Sequence, residues 1–128
     1  MKPLILELPP SVNFAYTNNE CTGRRIYTDA SKNWYQWVWP VILRWKRENN
    51  LKKPFDYFIK THCNFYLRRL NSDSHNYFKL LADALEKYEV VTDDRFIMFV
   101  TEKVSYDREN PRIEITFKNA EETPPRLE

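Results

Sequence analysis

The stretch Ser74–Tyr88, SHNYFKLLADALEKY, limits the possible folds more than any other part of the chain. At one residue per 100° of helix, Tyr77, Phe78, Leu81, Ala84, Leu85 and Tyr88 fall in one arc of roughly 120°. His75, Asn76, Lys79, Asp83 and Glu86 fall on the opposite side. The spacing therefore predicts an amphipathic helix from about Ser74, with Ser72 or Asp73 as its N-cap. Carboxylates stand at both ends: Asp73 before the helix, and Asp93-Asp94 after the loop Glu89–Asp94.

A second helix is predicted from a cap at Thr28 or Asp29 to about Glu48. Trp34, Trp37, Val38, Val41, Ile42 and Trp45 repeat at helical spacing and form its expected core face, while Trp39 lies off that face. Pro40 falls inside and should kink or loosen one turn. Four segments read as strands. Leu4–Leu8 is stopped by Pro9-Pro10, which cannot donate to a ladder. Phe55–Leu67 is aromatic-rich with partial alternation. Arg95–Ser105 and Arg112–Lys118 follow the central helix, the second expected to return beside the first through Tyr106–Pro111 as a hairpin connection. Ser11–Thr28, which holds the single glycine at Gly23, reads as an irregular loop or loose hairpin. Asn119–Glu128 reads as a tail after a single domain over residues 1–118.

Several function classes drop out. One glycine in 128 residues leaves no phosphate-cradling loop of the P-loop or dinucleotide-binding type. No apolar run approaches the ~20 residues of a membrane span, and the N-terminal MKPLILELPP is too short and acidic for a signal peptide. The two cysteines, Cys21 and Cys63, lie far apart without CxxC spacing, which points away from a disulfide framework or zinc knuckle and towards a reduced, cytoplasmic setting. His62 and Cys63, adjacent in a strand, should face opposite ways and share no metal. The net charge of +2 rises to +4 once the acidic tail is set aside, because the tail holds three glutamates and one arginine. The basic residues cluster: the helix predicted to about Glu48 ends in a basic run, Arg44, Lys46, Arg47, Lys52, Lys53 and Lys60, and Arg24, Arg25, Arg68 and Arg69 flank other elements. Such a surface suits a polyanion as well as it suits water.

Hydrolysis of a phosphodiester needs an activated water and neutralised charge on the non-bridging and leaving oxygens. Mg²⁺ serves both needs and binds through one or two carboxylates. Asp73 and Asp94 could supply these from the two ends of the helix, with Lys79 stabilising the phosphate. Spacing alone favours a plainer reading, with Asp73 a cap, Lys79 a solvated helix residue and Asp93-Asp94 a turn.

A resemblance alters that balance. LELPPSVN (Leu6–Asn13), IYTDASKNWYQWV (Ile26–Val38) and above all Asp73-Ser-His-Asn-Tyr-Phe-Lys79, Asp83-Ala-Leu85 and Asp93-Asp94 resemble the RusA-type crossover-junction endonucleases, the small Holliday-junction resolvases of phages and prophages. The similarity extends from about Leu4 to Phe117 and matches a D-x-D-N-x-x-K…D-A-L…D-D signature. It implies an α+β fold with two helices packed on a mixed sheet of about four strands. It also implies a metal-dependent nuclease, with Mg²⁺, or Mn²⁺ as the alternative, as cofactor, that nicks four-way or branched DNA symmetrically as a homodimer. Carried over residue by residue, Asp73, His75, Lys79 and Asp94 are the expected catalytic residues. Asp73, His75, Asp93 and Asp94 are the expected metal ligands. Arg24, Arg25, Lys52, Lys53, Arg68, Arg69 and Asn76 are the expected DNA contacts. His75 departs from the signature, standing where an aspartate is usual. It is a substitute ligand, a base for the attacking water, or a lesion that leaves a branched-DNA-binding protein with reduced cleavage. Trp39 and the N-terminal strand are the expected dimer surface.

Overall fold

The computed structural model describes residues 1–10, 16–18, 25–69 and 77–120. Two helices lie among them, α1 (Asp29–Glu48) and α2 (Phe78–Lys87). The strands are β1 (Leu4–Glu7), β2 (Tyr16–Asn18), β3 (Arg25–Tyr27), β4 (Ile59–Leu67), β5 (Ile97–Tyr106) and β6 (Arg112–Asn119). One mixed sheet runs in the order β1-β6-β4-β5, and β2 pairs with β3 in a small antiparallel ribbon. The expected α+β architecture of two helices on a four-stranded mixed sheet is the one observed.

β4 is the middle of this fold. Its residues alternate between buried and half-buried along all nine positions, with Ile59, Thr61, Cys63, Phe65 and Leu67 on the buried side. β6 runs antiparallel to it, opposing Ile115 to Cys63 and Ile113 to Phe65. β5 runs parallel, opposing Ile97 to Ile59 and Phe99 to Thr61. A parallel neighbour needs a crossover, and α2 supplies it between β4 and β5. Leu80, Leu81, Ala84 and Leu85 of α2 join Trp34, Val38, Ile42 and Trp45 of α1 in the same core as the buried sheet residues. The other sheet face is polar and half-buried; the Arg112 guanidinium lies 3.8 Å from the centre of the Tyr66 ring.

The expected hairpin between the last two strands is not formed. β5 and β6 flank β4 on opposite sides. The link between them crosses the end of β4, where the Asp107 amide donates to the Leu67 carbonyl at 3.0 Å. Arg112 Nη1 holds the turn through Asp107 Oδ2 at 2.9 Å and the Asn110 carbonyl at 3.0 Å. Two strand spacings are about 9.6 Å, and five extended residues reach about 16 Å. A short link can therefore step over one strand as readily as turn beside it.

α1 is tied to the sheet edge by its indoles. Trp34 Nε1 donates to the Glu7 carbonyl at 2.9 Å, and Trp45 Nε1 to the Lys2 carbonyl at 2.7 Å. The helix starts on Thr28, whose hydroxyl accepts from the Ser31 amide, and it continues through Pro40. That residue is exposed, so the carbonyl it leaves without a helical donor, on Gln36, can turn to water. The core face is rotated from the expected one. Tyr35 is buried, whereas Trp37 is 65% exposed and Val41 37%. The buried set Ser31, Trp34, Tyr35, Val38, Ile42 and Trp45 spans an arc of about 100°, and Trp37 lies outside it. Trp39 lies outside on the other flank, 52% exposed and 6.5 Å from the Tyr88 ring.

Three boundaries also shift. β4 begins at Ile59 rather than Phe55, which forms only an isolated bridge to Val91. A 3-10 turn, Asp94–Phe96, precedes β5. α2 begins at Phe78 after Tyr77, which makes no side-chain cap bond; the expected caps Ser72 and Asp73 lie outside the described residues. Both helices end on a residue with positive φ that is not glycine, Asn50 (54°) and Glu89 (60°). Asparagine tolerates this conformation, while glutamate is strained there by about 1 kcal/mol.

Two stability measurements check this packing. Leu81→Ala, at a fully buried site, should cost about 3 kcal/mol in urea unfolding, and Trp37→Ala no more than about 0.5 kcal/mol. Glu89→Gly should stabilise the protein by about 1 kcal/mol by relieving the left-handed backbone.

Candidate active site

α2 carries a polar stripe on the side away from its core face. Lys79, Asp83 and Glu86 fall within about 60° of one another around the axis. Lys79 Nζ donates to Asp83 Oδ1 at 3.2 Å. The second oxygen of Asp83 accepts from the Tyr27 hydroxyl at 2.7 Å, and that hydroxyl lies 3.2 Å from the Tyr35 hydroxyl. The stripe is thereby joined at one end to β3 and α1.

At its other end the stripe meets the turn into β5. After Glu89, the Val90 amide returns to the Leu85 carbonyl at 2.8 Å. The segment before β4 then fixes the turn from the other side: Phe55 donates to the Val90 carbonyl at 2.8 Å and accepts from the Thr92 amide at 2.9 Å. Asp93 caps the 3-10 turn, its Oδ1 accepting from the Arg95 amide at 2.9 Å. The Asp94 amide donates to Glu86 Oε1 at 2.8 Å. Carboxylate oxygens of Glu86, Asp93 and Asp94 thus lie within 4.8 Å of one another.

This crowding acts on Asp94, whose carboxyl is held above the ordinary carboxylate range. Lost hydration is the largest cause, followed by the charge of Glu86 and by the hydrogen bond and charge of Asp93; the Lys79 ammonium opposes them. Lys79 therefore lies close enough for its charge to reach Asp94. Three acids gathered this way could hold a cation, and an all-oxygen donor set is of the kind that suits a hard metal rather than a soft one.

Of the expected site residues, the structure brings Asp93 and Asp94 together, with Lys79 on the polar stripe of α2 that leads to them. Asp73, His75, Asn76 and Arg24 lie outside the described residues, and Arg25 belongs to β3. Lys52, Lys53, Arg68 and Arg69 are exposed. Arg68 also donates from Nη2 to the Leu8 carbonyl at 3.2 Å and lines an open cavity of about 430 Å³ with Trp34 and Trp37. Within the basic cluster, Lys46 holds the end of α2 through the Tyr88 carbonyl at 3.1 Å. Glu86 was not expected in the site, although its position seven residues after Lys79 puts it on the same stripe. His62 and Cys63 do face opposite ways. His62 Nδ1 meets Glu102 Oε1 on the polar face. Burial, helped by Glu102, pushes the Cys63 thiol up to about 12, which leaves it inert as a nucleophile.

The chain is thus a small α+β domain in which a carboxylate of α2, Glu86, meets two more in the turn that follows it. The family model described as endodeoxyribonuclease RusA matches residues 7–118, all but the first six and last ten residues. The chain belongs to the RusA family of endodeoxyribonucleases, whose substrate is Holliday-junction DNA. No curated protein matches the chain. None of the helices among the described residues is long and apolar enough to cross a membrane.

The raised Asp94 pKa sets a pH dependence. A carboxyl whose folded pKa exceeds its unfolded one contributes stability that is complete below the ordinary carboxylate value and is lost as pH rises through the raised one. In buffer free of divalent cations, raising the pH from about 4 to about 7 should therefore change the melting temperature more favourably in Asp94→Asn than in the wild type.

Proposed function

We propose that the protein is a metal-dependent endonuclease that resolves Holliday junctions by paired, symmetric nicks. The gathering of Glu86, Asp93 and Asp94 beside Lys79, in a chain of this family, is the observation that carries the reading. Asp93 and Asp94, joined by Asp73 and His75 of the preceding signature, would hold Mg²⁺ or Mn²⁺. Such an ion supplies positive charge against the phosphate and activates a water for attack.

The remaining work falls to side chains. The Lys79 ammonium donates to a phosphate oxygen as negative charge builds on it. Glu86 fixes the backbone of Asp94 and so the direction of its carboxylate. Arg24, Arg25, Lys52, Lys53, Arg68, Arg69 and Asn76 would contact the DNA arms and orient the scissile bond without reading bases. Two symmetric cuts need two sites related by a two-fold axis, hence a homodimer. Exposed Trp39, and β1 at the sheet edge with Ile5 49% exposed, are available to form it. A cytoplasmic location fits a DNA substrate.

A synthetic four-way junction with Mg²⁺ or Mn²⁺ tests this. The expected products are paired nicks at symmetric positions, abolished by EDTA and lowered at least 100-fold by Asp73→Asn, Asp94→Asn or Lys79→Ala, by analogy with the loss of one transition-state contact. Tight junction binding without nicks under either metal would favour the binding-only protein, with His75 as the lesion.

A further inference from the structure

We infer that Asp83 and Tyr27 are positioning residues for Lys79, so that the short β2–β3 ribbon takes part in setting the active site. The inference rests on the nuclease reading, within which Lys79 acts on the phosphate. Its ground is the chain of contacts from α1 to the lysine. Asp83 is a carboxylate with one oxygen on Lys79 Nζ at 3.2 Å and the other on the Tyr27 hydroxyl at 2.7 Å. An ionised carboxylate only accepts, so the Tyr27 hydroxyl must donate to it. The Tyr27 oxygen is then left to accept from the Tyr35 hydroxyl at 3.2 Å.

Donation therefore converges on the partly covered Asp83: from Tyr35, 4% exposed in the core, through the half-buried Tyr27 on one side, and from Lys79, whose side chain is 57% exposed, on the other. The rings keep the hydroxyls in place: Tyr27 and Tyr35 meet edge to face at 5.3 Å between centroids, and the Tyr88 hydroxyl donates to the Tyr35 carbonyl at 2.8 Å. An exposed i,i+4 lysine–aspartate pair alone is worth a few tenths of a kcal/mol and leaves the ammonium free to swing. An acid already fixed by a tyrosine offers the ammonium one preferred place, and preorganisation of this kind acts on the rate rather than on binding.

Single-turnover cleavage of a four-way junction in Mg²⁺, junction affinity in Ca²⁺ and melting temperature should be measured for wild type, Tyr27→Phe, Asp83→Asn and the double variant, at a temperature where all are folded. Each single change is expected to slow cleavage 5- to 20-fold, to leave junction affinity within twofold, and to leave the double variant no slower than the slower single one. Asp83→Asn, at a partly exposed site, serves if Tyr27→Phe fails to fold. Cleavage within twofold of wild type, an affinity loss that matches the rate loss, or multiplying defects would overturn the positioning role and leave the nuclease reading intact. A wild type that cleaves with neither Mg²⁺ nor Mn²⁺ would remove both.

Discussion

The sheet is apolar on one face only, and the position of every other described element follows from covering that face. β4 shows this most directly, since its odd-numbered residues from Ile59 to Leu67 are buried and the even-numbered ones between them are not. The antiparallel strands in register repeat the division, with Leu4 and Leu6 in β1 and Ile113, Ile115 and Phe117 in β6 buried, whereas the edge strand β5 does not. Both helices then belong on the same side. Burial of large side chains at about 25 cal/mol per Å² is the dominant favourable term in holding them there. Phe78, stacked on Phe99 at 4.3 Å and edge-to-face with Phe65 at 5.6 Å, joins the start of α2 to the two strands it connects.

The candidate site is a by-product of that crossover. A helix joining two parallel strands must reverse direction twice, and its exit turn brings Asp93 and Asp94 back against Glu86, one of the last residues of α2. The bridge at Phe55 holds the turn from outside. The acids are therefore presented by backbone fixed on two sides, the kind of support that keeps charged groups close despite their repulsion. Glu89 adopts the left-handed conformation at the helix end without glycine's freedom, which is consistent with a turn whose shape is set by its contacts.

α1 contributes from the other direction. Its tryptophans satisfy the carbonyl of the last residue of the edge strand β1 and one just before it, and its tyrosine joins the hydrogen-bond chain that reaches Lys79. The two helices meet through aromatic edges and through cations: Lys87 Nζ lies 5.1 Å from the Tyr35 ring centre, and Lys46 binds the C-terminal carbonyl of α2. Part of the basic cluster at the end of α1 thus serves packing, while Arg44, Arg47, Lys52 and Lys53 remain exposed.

Local pattern was enough to place both helices and the four strands of the sheet to within a few residues, because helical and extended periods are written in consecutive side chains. It also placed Lys79, Asp93 and Asp94 as candidates once the signature was read. It erred on Trp37 and Val41, since hydrophobicity does not say how wide an arc the neighbours will cover. It missed Tyr35, because a tyrosine is read as amphipathic until its hydroxyl has partners. It made neighbours of β5 and β6, since a five-residue link is compatible with either pairing. Glu86, Tyr27 and Asp83 entered the site only in three dimensions. Which residues carry charge, and which elements carry them, could be read along the chain. Which charges meet could not, because that depends on strand order and on a crossover that joins the ends of α2 to segments far away along the chain.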